Sequence, residues 1–117
     1  MSNYTVLVTS APYDDQGAST ALAFCHQLLA DGHHIDQIFF YQRGIYNAMP
    51  AMAPPNDETN YFTAWKTLNK NHNVTLRVCM TAGEKRGINA NDIVPFEQTG
   101  LGEFFADLHN SKNLVQF

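Results

Sequence analysis

Residues 74–87 read VTLRVCMTAGEKRG, a pattern that predicts a strand followed at once by a short helix. β-Branched residues are concentrated before Cys79, as is typical of strands. The stretch from Met80 to Arg86 holds few strand formers and is read as a short helix ending at Gly87. Cys79 therefore stands at the carboxyl end of a strand, the edge of open α/β sheets where ligands and reactive groups collect. The start of the helix adds a partial positive charge that favours thiolate over thiol, so we expect the chemistry of the chain here.

The length and composition predict a single domain spanning residues 1–117. The formal charge of −4 leaves no basic face for gripping phosphates, so direct nucleic-acid binding is not expected. Cys25 and Cys79 form no Cys-x-x-Cys pair, and without an export signal both are expected to stay reduced. No apolar stretch approaches the roughly 20 residues that span a bilayer, and the prediction is a cytoplasmic protein without a membrane segment.

Strand and helix patterns alternate along the rest of the chain. Strands are predicted at residues 4–9, 34–40 and 114–117. A first helix is predicted from Ala18 to about Gly32. A second helix is predicted to start after Asn56 or Asp57 with Glu58 in its first turn, and a last helix after Thr99 or Gly100. Such alternation is typical of parallel strands joined by right-handed crossovers with helices on both faces. The sequence therefore predicts an α/β fold, a small three-layer α/β/α domain around a mostly parallel five-stranded sheet with a flavodoxin-like outline.

Two stretches of the second half of the chain carry further expectations. Residues 92–96 (DIVPF) fit either a short strand or a loop tethered by apolar side chains. The last helix is predicted to bury its apolar side chains, Leu101, Phe104, Phe105 and Leu108.

The segment from Tyr41 to Pro55 is predicted to be a long loop, because its three prolines argue against a regular element. A loop of that length in a compact domain more often has a function or contacts a partner than serves only as a connection. The aromatic and Met-rich part from Tyr41 to Met52 is the candidate for a subunit contact. Folding back on the core of the domain is the other interpretation.

Several classes of site are disfavoured by the residues. There is no Gly-rich phosphate loop and no G-x-G-x-x-G, and Asp14 and Asp15 after the first strand would repel a nucleotide phosphate. A phosphatase cradle needs Arg six residues after the cysteine, where this chain has Lys85, with Arg86 one place late and Glu84 inside the cradle. The five histidines have no metal-ligand spacing. No cofactor or metal site is therefore predicted.

Two interpretations of Cys79 remain open on residue chemistry alone. A helix start, with Lys85 and Arg86 within two turns, favours a nucleophilic sulfur. The alternative is that Cys79 is the last apolar residue of a buried strand. Cys25 lies on the apolar stripe of the first helix and is read as a core residue.

A collinear set of segments carries a family resemblance that runs nearly from end to end. It consists of residues 8–13 (VTSAPY), 16–19, 29–33 (LADGH), 39–41, 44–48 (GIYNA), Trp65 with its neighbours, the strand ending at Cys79, Arg86-Gly87, 100–102 and 115–117. On this set the chain resembles the DsrE/TusD family of sulfur-relay proteins, most closely its TusD branch. The segment between Gly87 and Gly100 is shorter here than in that branch.

The resemblance implies a sulfurtransferase that works as a persulfide carrier without a cofactor. Cys79 would accept sulfane sulfur from a TusA-like donor and pass it to a TusE/DsrC-like acceptor, for 2-thiolation of the tRNA wobble uridine. It also implies TusB- and TusC-like sister subunits in a dimer of heterotrimers, with a homo-oligomer as the alternative. A subunit of another sulfur-metabolism relay, or a non-catalytic subunit of such a complex, stays open.

Overall fold

A five-stranded, all-parallel sheet forms the centre of the computed structural model, which describes residues 2–117 apart from the side chain of Ala90. Met1, the first residue of the predicted domain, lies outside the described residues. The strands are β1 (Asn3–Val8), β2 (His34–Phe40), β3 (Leu76–Cys79), β4 (Glu97–Thr99) and β5 (Asn113–Gln116). Their order across the sheet is β4-β3-β2-β1-β5, which places β3 inside the sheet, between β2 and β4.

Helices cover both faces of the sheet. They are α1 (Gly17–Ala30), α2 (Tyr61–His72), α3 (Met80–Lys85) and α4 (Leu101–Leu108), with 3₁₀ helices at Gln42–Ala48 and Ala90–Asp92. Neighbouring residues of β2 identify the faces: Phe40 packs edge-on against Trp65 of α2, whereas Phe39 stacks on Phe104 of α4. Among residues 2–117, no helix is long and apolar enough to cross a membrane. The predicted three-layer α/β/α architecture is confirmed.

The segment after β2 folds back on the core, and the prediction that it lacks a regular element was wrong. Within the 3₁₀ helix Gln42–Ala48, Gly44, Ile45, Asn47 and Ala48 are buried. Asn47 explains why the segment is ordered: its amide donates to Gly44 O and Ser10 O, and its Oδ1 accepts from Trp65 Nε1 at 3.0 Å. Ser10 and Trp65 lie far from Asn47 in sequence, so the local sequence pattern does not reveal these two contacts.

Helix α2 begins later than predicted. Its N-cap is Asn60, whose side chain accepts a hydrogen bond from Thr63 N at 3.1 Å, so neither Asn56 nor Asp57 caps it and Glu58 precedes the first turn. The amide of Asn60 also donates to Met52 O. This bond to the preceding loop selects one cap among several polar candidates.

The stretch at residues 92–96 is a loop rather than a strand, and the fourth strand follows it as β4. Helix α4 buries less than predicted, because only Phe104 is fully buried and Leu108 is half-buried. Leu101 and Phe105 are 39% and 55% exposed. One short helix touches the sheet along a narrow line, so the neighbouring apolar positions on the same helix remain outside the contact.

Candidate functional site

The strand that ends at Cys79 passes directly into α3, as the sequence predicts. Cys79 has extended backbone angles and is the N-cap residue of α3, while Gly87 just beyond this helix has a φ of 76°. The parallel ladders pair Cys79 with Thr99 of β4, and Val78 with Phe40 of β2. Cys79 is therefore held at the carboxyl edge of the sheet by strands on both sides.

A pocket of about 480 Å³ opens at this edge. It is lined by residues from three stretches of the chain: Tyr41, Gln42, Cys79, Thr81, Ala82, Lys85, Arg86 and Leu101. Its size is in the range of ligand pockets, about 300–1,000 Å³. Cys79 itself is only 4% exposed. A reactant must therefore enter the pocket to reach its sulfur.

The charged side chains that line the pocket are both cationic, although the whole chain has a net charge of −4. The guanidinium of Arg86 is held in place: Nη1 donates to Ala82 O at 3.1 Å, and the group lies 6.0 Å from the centre of the Tyr46 ring. Lys85 is exposed at the mouth of the same pocket. The structure thus brings Lys85 and Arg86 to the pocket that Cys79 lines, as the sequence predicts.

Beneath Cys79, on the same face of β3, lies Arg77, because alternate residues of a strand share a face. Arg77 Nη1 donates to Gln37 Oε1 at 3.1 Å and pairs with Asp107 of α4. Its Nε is 4.0 Å from Glu97 Oε1. This network ties β2, β3, β4 and α4 together directly below the cysteine, so it helps to hold the edge rigid.

The sequence did not single out as site residues five residues around Cys79: Tyr41, Gln42, Arg77, Thr99 and Leu101. Because alternate residues of a strand point to the same face, the sequence could have indicated that Arg77 lies on the same face of β3 as Cys79. Gln42 has a φ of 53°, which is uncommon for a residue other than glycine. No sequence signal marks its place in the pocket.

The second cysteine is placed in the core, as predicted. Cys25 on α1 has no exposed surface, and burial raises the pKa of its thiol to about 12. Because the thiolate is the reactive form of cysteine, Cys25 is inert in the folded protein near neutral pH.

This contrast predicts site-selective alkylation. At pH 8 a neutral reagent such as iodoacetamide should label Cys79 in the native protein, because the pocket admits the reagent. Cys25 should stay unlabelled, since a pKa of about 12 leaves about one thiol in ten thousand ionised at that pH. Peptide mass spectrometry reads the result, and unfolding in urea should make both cysteines react. Faster native labelling of Cys25 than of Cys79 would contradict the assignment.

Comparison with known proteins identifies the family of the chain. The sequence profile described as the DsrE/DsrF-like family matches residues 2–117. A protein named "Sulfurtransferase TusD" from Salmonella newport (strain SL254) is 45% identical over 126 aligned positions, which cover 97% of this chain and 98% of the relative. Another of the same name, from Pectobacterium carotovorum subsp. carotovorum (strain PC1), is 36% identical over the whole of both chains. The first alignment is longer than the 117-residue chain, so that relative has residues without a counterpart here.

Solved structures share the fold. The ychN protein from E. coli superposes with a TM-score of 0.88 at 18% identity over the full length of both chains. MTH1491 from Methanobacterium thermoautotrophicum, described as a protein of unknown function, superposes with a TM-score of 0.72 at 13% identity, again over both full chains. At these identities the structural likeness concerns the fold alone, and the family is established by the profile match and the curated relatives. The chain belongs to the DsrE/DsrF-like family.

Proposed function

We propose that this chain is a sulfurtransferase subunit that carries sulfur as a persulfide on Cys79. The observation that carries the proposal is the position of Cys79, at the carboxyl edge of the sheet in a pocket with Lys85 and Arg86. Relatives named "Sulfurtransferase TusD" that match the chain over nearly its whole length support the reaction class.

The chemistry is an exchange in which no atom is oxidised or reduced overall. The Cys79 thiolate attacks the outer, protonated sulfur of a donor persulfide (R–S–SH). A new S–S bond forms to Cys79, the S–S bond of the donor breaks, and its electron pair leaves on the donor sulfur as a thiolate. An acceptor thiolate then attacks the outer sulfur of the Cys79 persulfide in the same way. Both steps have the form of thiol–disulfide exchange, and neither needs a cofactor.

The pocket suits this exchange in two ways. Its cations favour the anionic sulfur that attacks and the one that leaves. Its walls restrict access to a cysteine that is 4% exposed, so a partner must present its own cysteine on a narrow segment of chain. Bulkier surfaces that carry a thiol cannot approach, which limits loss of sulfur to the wrong acceptor.

The partners follow from the family resemblance. A TusA-like protein is the proposed donor and a TusE/DsrC-like protein the proposed acceptor, with the sulfur destined for 2-thiolation of the tRNA wobble uridine. TusB- and TusC-like sister subunits would complete a cytoplasmic dimer of heterotrimers. A relay for another branch of sulfur metabolism would use the same chemistry on Cys79, so the identity of the acceptor distinguishes the two.

One observation favours a different class of function. The low exposure of Cys79 also suits a non-catalytic subunit whose cysteine only packs the strand end. The test is incubation of the reduced protein with a cysteine desulfurase and a TusA-like donor, followed by peptide mass spectrometry without reductant. A gain of one sulfur on the Cys79 peptide supports the carrier. A peptide that stays unmodified while the donor is loaded supports the structural subunit.

The cations of the pocket give a second prediction. Iodoacetate is anionic and iodoacetamide neutral, so the ratio of their alkylation rates at Cys79 reports the local charge. Reversing Lys85 to Glu should lower that ratio about two- to fivefold, because one exposed charge pair contributes about 0.2–1 kcal/mol. The effect should weaken in high salt. Lys70→Glu, at the far end of α2, is the matched control, and an equal fall in both variants would show that the pocket charge is irrelevant.

A further inference from the structure

A buried hydroxyl next to Cys79 has no partner within the described part of the chain. Thr99 is 6% exposed, and its Oγ1 makes no hydrogen bond to any described residue. Buried polar side chains are nearly always hydrogen-bonded, since an unsatisfied one lowers the stability of the fold. Among the described residues this hydroxyl is therefore available to an acceptor that forms during the reaction.

The ladder between β3 and β4 places this hydroxyl on the side of the cysteine. Thr99 is the direct register partner of Cys79, and such partners on neighbouring strands are about 4.8 Å apart and face the same way. The contact between Arg77 and Glu97, two residues earlier on each strand, confirms that these positions share a face. Thr99 does not line the pocket itself, so we expect its hydroxyl to meet the sulfur from the β4 side and not from the pocket.

We propose that Thr99 is a positioning residue whose hydroxyl donates a hydrogen bond to the Cys79 sulfur when that sulfur is charged. A neutral thiol is a weak acceptor, so we expect the bond only when the sulfur is charged. A thiolate or persulfide anion is a strong acceptor, and the two side chains are neighbours on one face of the sheet. The persulfide part of this statement rests on the proposed function, whereas the thiolate part does not.

The outer sulfur of a persulfide lies about 2.0 Å from Sγ, further into the pocket that Cys79 lines. The two ends of the persulfide would then have different surroundings. In this proposal the hydroxyl of Thr99 binds the inner sulfur from the β4 side, whereas the outer sulfur enters the pocket that Lys85 and Arg86 line. With the inner sulfur bound on one side, the outer sulfur would stay in the pocket, where an incoming thiolate can attack it.

The test compares Thr99→Val, which has the same shape without the hydroxyl, with Thr99→Ser, which keeps it. The rate of Cys79 alkylation by iodoacetamide is measured from pH 5 to pH 10 in a Cys25→Ala background. Loss of a hydrogen bond to the charged form disfavours that form. The midpoint of the rate profile should therefore move up by about one pH unit in Thr99→Val. Thr99→Ser should follow the parent.

An unchanged profile in Thr99→Val overturns the proposal, as does an equal shift in both variants, because the hydroxyl is then not the cause. If Thr99→Val does not fold, as judged by circular dichroism and the melting temperature, Thr99→Ala removes the same hydroxyl with a smaller side chain. Alkylation needs no sulfur donor, so this readout is independent of the carrier function. If the parent protein loads sulfur on Cys79 but Thr99→Val leaves the alkylation profile unchanged, the carrier function holds and the role of Thr99 is wrong.

Discussion

Replacing Cys79 with serine is expected to abolish sulfur transfer and to leave the fold intact. A hydroxyl is almost the same size as a thiol but is not ionised near neutral pH, and oxygen cannot take the place of sulfur in the exchange. The loss should be complete within the background of the assay. Transfer is followed as sulfur passed from a loaded TusA-like donor to a TusE/DsrC-like acceptor, and circular dichroism checks the fold.

The matched control is Cys25→Ala, which removes the other thiol of the chain. It should transfer sulfur at the parental rate, because Cys25 is fully buried and burial raises its pKa to about 12. A cavity left in the core lowers stability by a modest amount, so the assay temperature is kept well below the melting temperature. Transfer that survives Cys79→Ser, or sulfur that appears on Cys25, would show that the proposed carrier is wrong.

Gly44→Ala should strongly destabilise the fold although it adds only one methyl group. A β-carbon at position 44 would overlap the carbonyl oxygen of Val8 and lie 2.7 Å from its carbon. That carbonyl already accepts from Tyr41 N at 3.0 Å, so the backbone on both sides must shift. Overpacking of this kind costs about 3 kcal/mol or more. The melting temperature should fall by more than about 10 °C.

Gly102→Ala is the control for this substitution. Nothing lies within 4 Å of a β-carbon there, and the residue is inside α4. Alanine should therefore be neutral or stabilise by about 0.5–1 kcal/mol. Because Gly44 belongs to the segment that brings Tyr41 and Gln42 to the pocket, Gly44→Ala should also slow alkylation of Cys79 at temperatures where the protein is still folded. Equal melting temperatures for the two variants would contradict the close approach at Gly44.

The strand, the turn into a helix and the position of Cys79 were predictable because their signals are local. β-Branched residues end at Cys79, helix formers follow, and Gly87 ends the helix with a positive φ. The alternation of strands and helices then dictated a parallel sheet, whose carboxyl edge collects reactive groups. The collinear family resemblance added the sulfur chemistry, which residue spacing alone left undecided.

The parts that escaped prediction depend on contacts between distant residues. The 3₁₀ helix Gln42–Ala48 is held by Asn47 through Ser10 and Trp65. Prolines further along the segment suggested a loop, but none lies within this helix. The start of α2 was ambiguous because several polar residues could cap it, and a bond to Met52 favours Asn60.

Part of the candidate site was also invisible in the sequence. Lys85 and Arg86 could be associated with Cys79 because they follow it on one short helix. Thr99 could not, since β4 has only three residues, Glu97–Thr99, and carries no run of apolar or β-branched side chains. Its pairing with Cys79 is a property of the sheet register. Only the assembled ladder brings the two side chains together.

The strand that carries Cys79 is hydrogen-bonded to β2 on one side and to β4 on the other. A cysteine anchored in this way cannot swing from one partner to another, unlike a thiol on a flexible arm. In the proposed relay, donor and acceptor would therefore use the same opening in turn, and we expect their binding to be mutually exclusive. We expect an excess of unloaded donor to act as a competitive inhibitor of delivery, so the throughput of the relay depends on the balance between its two partners.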